Sequence, residues 1–232
     1  MSHIVEPSAS GKAAEHYGTG AEYWDDRYSR HRISFEWLRH YEHLEGLLEE
    51  ATTGDRACRI LDVGCGNSEL TEKMYDTGYR HIVSIDFSAI VISQMAARNR
   101  QRPEMRWLEM DATRLTFEDD CFDLVIDKGF FDTLNCIHPR ERATTLAGYL
   151  AEATRVLRSE GVFFCVSFGK PAERSPLLAM MQGLDFETHA LQPTWRDGTE
   201  HYVYMGRKRR TRALDVPCQL PPRASFGLDE LD

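Results

Sequence analysis

The sequence predicts an α/β fold: a doubly wound, mostly parallel seven-stranded sheet that ends in an antiparallel hairpin. Three observations predict it. Short apolar runs alternate five times with segments of helical period between residues 59 and 168. The first of these runs breaks into a turn with two glycines one residue apart, and two strand-like runs follow each other near the end with only a polar turn between them. A chain of 232 residues suits one such domain with modest additions. The expected layout is a loose leader over 1–19, a domain over 20–208 whose residues from about 20 to 50 form an aromatic lid, and a tail over 209–232.

The leader is rich in Ser, Gly and Ala and has little period. Ala21 to Tyr28 then brings Tyr23, Trp24 and Tyr28 together, and Trp24 and Tyr28, four apart, share a face if the segment is helical. Phe35, Trp37 and Tyr41 continue the aromatic theme, and Leu38, Leu44, Leu47 and Leu48 give an apolar helical face before the turn at Thr53-Gly54-Asp55. The segment is either an amphipathic helix over the sheet or a lid whose Trp24, Tyr28 and Trp37 close on a ligand. A cation held over such rings gains roughly 0.5 to 2 kcal/mol.

Arg59 to Val63 is the first buried strand, with Asp62 just before the glycines Gly64 and Gly66, where a Cβ would take space that a ligand needs. A helix from Ser68 to about Tyr75 stops at Gly78, and the second strand, His81 to Ile85, ends in Asp86, placed to accept from two ribose hydroxyls. Ser88 is an N-cap for a helix carrying Ile90, Val91, Met95 and Ala96 that ends before Pro103. Met105 to Met110 is a third strand leading into Asp111-Ala112. Asp111 there is either an acceptor for an adenine amine or a plain turn-former.

The fourth strand runs from Phe122 into Asp127-Lys128-Gly129, and a helix from Pro139 to Leu157 carries Leu146, Leu150 and Val156 on one face. Gly161 precedes the fifth strand, Val162 to Phe168. A short helix is expected near Leu177 to Gln182, then strands over Phe186–Leu191 and His201–Met205 around Asp197-Gly198.

The ligand follows from what the turn lacks. A dinucleotide fingerprint needs a third glycine at position 69, where Glu69 would face two phosphates, and no Gly-Lys-Ser/Thr follows the loop. An acid before the turn, two glycines, an acid ending the next strand and no phosphate device suggest an adenosine without phosphates, S-adenosylmethionine first among them. No metal site is expected. Lys plus Arg at 28 against Asp plus Glu at 37 leaves a net charge of −9, which disfavours nucleic acid and anionic membrane and favours a basic protein partner. Six cysteines without a C-x-x-C pair read as reduced, buried thiols, and no apolar stretch approaches a membrane span, so the cytosol is the default. The basic run Arg207 to Arg212 is a solvated strand end or, alternatively, a nuclear import signal or docking patch.

Three stretches carry a resemblance: Tyr23-Trp24-Asp25-Asp26-Arg27-Tyr28, Leu61-Asp62-Val63-Gly64-Cys65-Gly66-Asn67-Ser68, and Asp127-Lys128-Gly129-Phe130-Phe131-Asp132. With them the chain, over roughly 20–208, resembles the class I S-adenosylmethionine-dependent methyltransferases, and within these the group of the elongation factor 1-alpha and citrate synthase lysine methyltransferases. The resemblance implies the Rossmann-like seven-stranded fold. It also implies cofactor contacts at Trp24, Tyr28, Trp37, Gly64, Asp86, Phe87, Asp111, Ala112 and Lys128, beside the glycine-turn residues Asp62 and Gly66. Phe130-Phe131 departs from the group's small or β-branched residue and Leu.

The implied activity is methyl transfer from S-adenosylmethionine to a lysine of a folded protein such as elongation factor 1-alpha, by a monomer. Asp127 is expected to orient or deprotonate the acceptor amine, the alternative being a strand-end carboxylate that satisfies backbone donors. A small-molecule methyltransferase and a binding module that holds the cofactor without transfer remain open. The Asn/Asp-Pro-Pro-Tyr of amide methylases is absent after the fourth strand.

Overall fold

The computed structural model describes residues 20–193 and 198–210. Seven strands form one sheet: β1 (Arg59–Val63), β2 (His81–Asp86), β3 (Arg106–Glu109), β4 (Phe122–Lys128), β5 (Leu157–Ser167), β6 (Leu184–Leu191) and β7 (His201–Lys208), in the order β3-β2-β1-β4-β5-β7-β6. The first five pair in parallel, and β7 lies antiparallel between β5 and β6. Strand order reverses between β1 and β4, the switch point where open α/β sheets hold ligands at the carboxyl ends of the strands. Ser167 at the end of β5 pairs with Tyr202, so the β6–β7 connection opens on that same edge.

Both faces of the sheet are covered, which is why its central strands read as nearly continuous apolar runs. Four helices, α1 (Gly20–Arg30), α2 (Glu45–Thr52), α3 (Leu70–Asp76) and α4 (Ala89–Arg98), bring Trp24, Leu48, Met74 and Ile92 into one core layer with Leu124 and Ile126 of β4. On the other face, α5 (Phe130–Leu134), α6 (Pro139–Val156) and α7 (Pro171–Leu178) pack Phe131, Tyr149, Leu150 and Leu178 against Val125 and Phe163. Each fully buried Leu, Val or Phe here stabilises the fold by about 1.5–3 kcal/mol. The expected cap at Ser88 forms, its Oγ accepting from the Val91 amide at 3.3 Å.

Three elements differ from expectation. The aromatic segment is not continued as a helix: after α1, residues 31–40 run as an irregular strap and a 3₁₀ turn, Tyr41–His43, precedes α2. Leu38 in that strap has φ of 64°, the left-handed region that a helix cannot contain. The five-residue α5 is too short to leave a period in the sequence; it starts where Gly129, at φ of 85°, turns the chain sharply off β4. The helix expected near 177–182 lies earlier, because Pro171 occupies its first turn, where a missing N–H costs nothing.

Cys58, Cys65 and Cys165 are buried free thiols, but Cys136 is exposed and Cys121 is disulfide-bonded, which corrects the expectation of uniformly reduced, buried thiols. In the basic run, Arg207 donates to the Glu160 carbonyl, Lys208 pairs with Asp120 at 2.9 Å, and Arg209 pairs with Asp185 at 2.6 Å. Thr211 and Arg212 lie outside the described residues, as do the expected leader, Asp197, and the tail from 211 on. Among the described residues no helix is long and apolar enough to cross a membrane.

Candidate active site

The glycine turn leaves β1 at the switch point with Gly64 at φ of 62° and Gly66 at φ of 51°. A Cβ on Gly64 would fall 2.5 Å from the Phe130 ring, and one on Gly66 would fall 2.8 Å from the Tyr28 hydroxyl. At Gly64 the Phe130 side chain leaves room only for glycine, and at Gly66 the left-handed backbone favours it. Asp86 fixes the turn: the Gly66 amide donates to one carboxylate oxygen and the Ser88 amide to the other, each at 3.0 Å. Each oxygen keeps a further lone pair, the capacity needed to accept from two ribose hydroxyls. Burial pushes the Asp86 pKa up to about 6, and the Ser88, Gly66 and Phe87 amides only partly offset it.

This sets opposite pH trends for stability and binding. Burial raises Asp86 to about 6 and Asp62 and Asp127 each to about 7, so in the folded chain these acids bind protons above pH 3.8, where the unfolded chain has released them. Their contribution to stability is therefore full below pH 3.8 and is lost as pH rises from there through 6 and 7. The expected role of Asp86, accepting from both ribose hydroxyls, calls for its ionised form, since protonation turns one oxygen into a donor. Affinity for S-adenosylhomocysteine should therefore climb from pH 5 to pH 7.5, and Asp86→Asn should flatten that slope in calorimetric titrations.

The strap crosses the glycine turn and brings in a residue that sequence reasoning missed. Glu36 accepts from the Ser68 hydroxyl at 3.0 Å, from the Glu69 amide at the start of α3, and from Lys128 Nζ at 3.0 Å. A carboxylate is favoured there by the free amides of a helix start. Its one signal in the sequence is an acid set between two aromatics, Phe35 and Trp37. Lys128 Nζ also donates to the Trp37 carbonyl at 3.0 Å. Asn67 Nδ2 donates to the Ile33 carbonyl at 2.7 Å, and the Arg27 guanidinium lies 4.9 Å from the Trp37 ring centroid. Trp24 and Tyr28 stack at 5.7 Å, and the Ser88 hydroxyl donates to Asp25, tying α1 to α4. Asp62, buried on β1, accepts weakly from Ser84 at 3.4 Å; burial pushes its pKa up to about 7 against the pull of Lys128.

Asp127 and Lys128 are adjacent on β4 and so point to opposite faces. Lys128 faces the strap, whereas Asp127 is fully buried on the α5–α6 side. There Asp127 accepts from the Phe131 amide at 3.0 Å and the Tyr149 hydroxyl at 2.6 Å, which partly offset the burial that raises it to about 7. These bonds, to the start of α5 and to Tyr149 of α6, are those of the alternative reading, a strand-end carboxylate that satisfies neighbouring donors. Asp111 is exposed and accepts from the Thr113 amide and hydroxyl, both at 2.8 Å through Oδ1, while Ala112 is buried beneath it and Phe87 is half-buried beside Asp86. A further buried cluster at the end of β5, with Asp132 accepting from Arg174 at 2.6 Å and from Ser167, left no separate sequence signal.

The donor set fits a phosphate-free nucleoside with an amino-acid tail: a glycine cradle, acids at the ends of β2 and β3, a buried lysine, and aromatic faces on the strap side. An open cleft of about 510 Å³ lies instead between α7 and the hairpin, lined by Leu178, Met181, Phe186 and Tyr204. It shares no residue with the glycine turn.

Residues 61–165 match a family model described as a methyltransferase domain. The cattle eEF1A lysine and N-terminal methyltransferase is 38% identical over 161 residues, 68% of this chain but only 23% of that protein, so the chain spans about a quarter of the length of this relative. The mouse EEF1A lysine methyltransferase 4 is 30% identical over 203 residues, covering 84% of this chain and 77% of that one. In fold, the chain resembles the N-methyltransferase NodS from Bradyrhizobium japonicum solved with S-adenosylhomocysteine, with a TM-score of 0.59 over 85% of this chain and 97% of NodS at 15% identity. With the strand order, the phosphate-free glycine turn and this degree of similarity together, the chain belongs to the class I S-adenosylmethionine-dependent methyltransferases, in the group that contains the eEF1A lysine methyltransferases.

Proposed function

We propose that the chain is a protein-lysine N-methyltransferase acting on a folded protein, with elongation factor 1-alpha, for which its relatives are named, as the first candidate. The observation that carries the reading is the aromatic strap pinned across a glycine turn that has acids but no phosphate device. One chain is the active unit, and the substrate places its work in the cytosol. The −9 charge favours a basic partner over nucleic acid or membrane.

When bound, S-adenosylmethionine supplies a methyl group on a cationic sulfur. The chain's part is alignment in a dry cleft, where a well-placed nucleophile gains most of the rate. Asp86 and Asp111 would hold the nucleoside. Lys128, whose partner Glu36 is already a carboxylate, would hold that of the amino-acid tail, and the faces of Trp24, Tyr28 and Trp37 suit the positive sulfur. A lysine amine of pKa about 10.4 must lose a proton first, and burial against Phe130 and Trp37 would lower that value.

Asp127 acts here as a positioning residue that sets Phe130 by holding the start of α5. Asp127→Asn keeps an acceptor for the Phe131 amide, so turnover should fall about tenfold or less. A drop of about 100-fold or more, typical of losing a general base, would restore Asp127 to the chemistry.

The test of function is incubation with methyl-labelled cofactor and a cell extract. Label on a lysine of a protein is expected. Label only in a low-mass product would replace the reading with a small-molecule methyltransferase, and tight cofactor binding without transfer would leave a binding module.

A further inference from the structure

Arg39 has its whole side chain in the interior, at 1% exposure, one residue beyond the left-handed Leu38 and three beyond Glu36. Its guanidinium donates to the Gln192 carbonyl at 2.9 Å and to the Thr199 carbonyl at 3.2 Å. These carbonyls stand at the two sides of the β6–β7 connection, which opens on the ligand edge of the sheet. The neighbouring strap residues are fixed to the cofactor side: Glu36 on Ser68 and Lys128, the Trp37 carbonyl on Lys128, and Leu38 against Gly129. A single stretch of four residues therefore has one end on the glycine turn and Lys128 and the other end on the hairpin connection.

We propose that Arg39 is a positioning residue that couples closure of the strap over the cofactor to the chain at Gln192 and Thr199, where β6 ends and β7 is about to begin, so that this part of the ligand edge is set when the cofactor binds. The physical reason lies in what the guanidinium does at both carbonyls. An apolar side chain of similar volume would fill the same space without joining the two carbonyls, whereas a single guanidinium nitrogen, Nη2, donates to both. Leu38 makes the joint stiff in sense, because a leucine holds a left-handed backbone only when both flanks are anchored. Displacing Glu36 from Lys128 on one flank must then be felt at Arg39 on the other. Such coupling is reciprocal: an acceptor that holds the chain at Gln192 and Thr199 also tightens the cofactor. The acceptor half of this inference rests on the proposed transfer to a protein; the cofactor half does not.

Hydrogen exchange of the full chain, with and without S-adenosylhomocysteine at about 100 times its Kd, tests the proposal. Amides at 33–39 and, equally, those at 191–192 and 198–202 should exchange at least about tenfold more slowly with the ligand, since coupled opening is slowed by up to about 100-fold at that concentration. In Arg39→Met the protection at 33–37 should persist while that at 191–192 and 198–202 is lost, and Arg39→Lys should restore part of it. If Arg39→Met does not fold, the wild-type comparison still decides. Protection confined to 33–39 in the wild type overturns the coupling and leaves the cofactor site intact. Absence of any binding heat or protection overturns the cofactor site as well.

Discussion

Replacing Asp86 with alanine is expected to weaken S-adenosylhomocysteine binding by about 100-fold or more. A charge-assisted hydrogen bond contributes about 1.5–3 kcal/mol, and two ribose hydroxyls on one carboxylate would lose both. The same substitution frees the Gly66 and Ser88 amides that the carboxylate holds at 3.0 Å, so the glycine turn keeps only the bond from the Cys65 amide to the Ile85 carbonyl as its link to β2. Asp86→Asn, which still offers one acceptor oxygen, should fall between the two. Calorimetric titration measures this directly, and an affinity within about threefold of wild type would remove Asp86 from the nucleoside site.

Replacing Lys128 with methionine should destabilise the chain by about 3–5 kcal/mol, because it leaves the Glu36 carboxylate without its cation. The two side chains are only 4% and 7% exposed, so water cannot take over. Neutralising the survivor tests the cause: the double variant Lys128→Met with Glu36→Gln should recover most of the stability, since glutamine can still accept from Ser68 and Glu69. It should not recover cofactor affinity if, as proposed, Lys128 holds the tail carboxylate. Urea unfolding gives the first quantity and calorimetry the second. Equal stability of the single and double variants would mean that the buried pair contributes nothing beyond its hydrogen bonds.

How far these residues were legible in the sequence depended on whether their role was local. The order of strands and helices could be read because apolar runs and helical periods are short-range patterns, and the glycine turn could be read because Gly64, Gly66 and Asp86 stand at a spacing that one β-α-β unit imposes. Ser88 was readable for the same reason, as a cap bonds within three residues. Glu36 was not, because nothing near it in the chain marks its partners: Ser68 and Lys128 are 32 and 92 positions away, and only folding the strap onto the switch point brings them together. Arg39 is a more distant case, with partners beyond residue 190. Asp127 was legible only as a choice between two readings. A strand-end acid beside a lysine looks catalytic, but strand alternation sends the two side chains to opposite faces, and that rule was already available from their adjacency. The strap could be read only as either a helix or a lid because its aromatics and leucines fit a helical period that the backbone at Leu38 interrupts.

A crystal structure with S-adenosylhomocysteine is the most direct test of the proposed cofactor berth. The expected result is a nucleoside between the glycine turn and the strap, with both ribose hydroxyls donating to Asp86, the adenine amine at Asp111, and the tail carboxylate at Lys128. A ligand seated in the cleft between α7 and the hairpin, or an Asp86 that still contacts only the Gly66 and Ser88 amides, would contradict it.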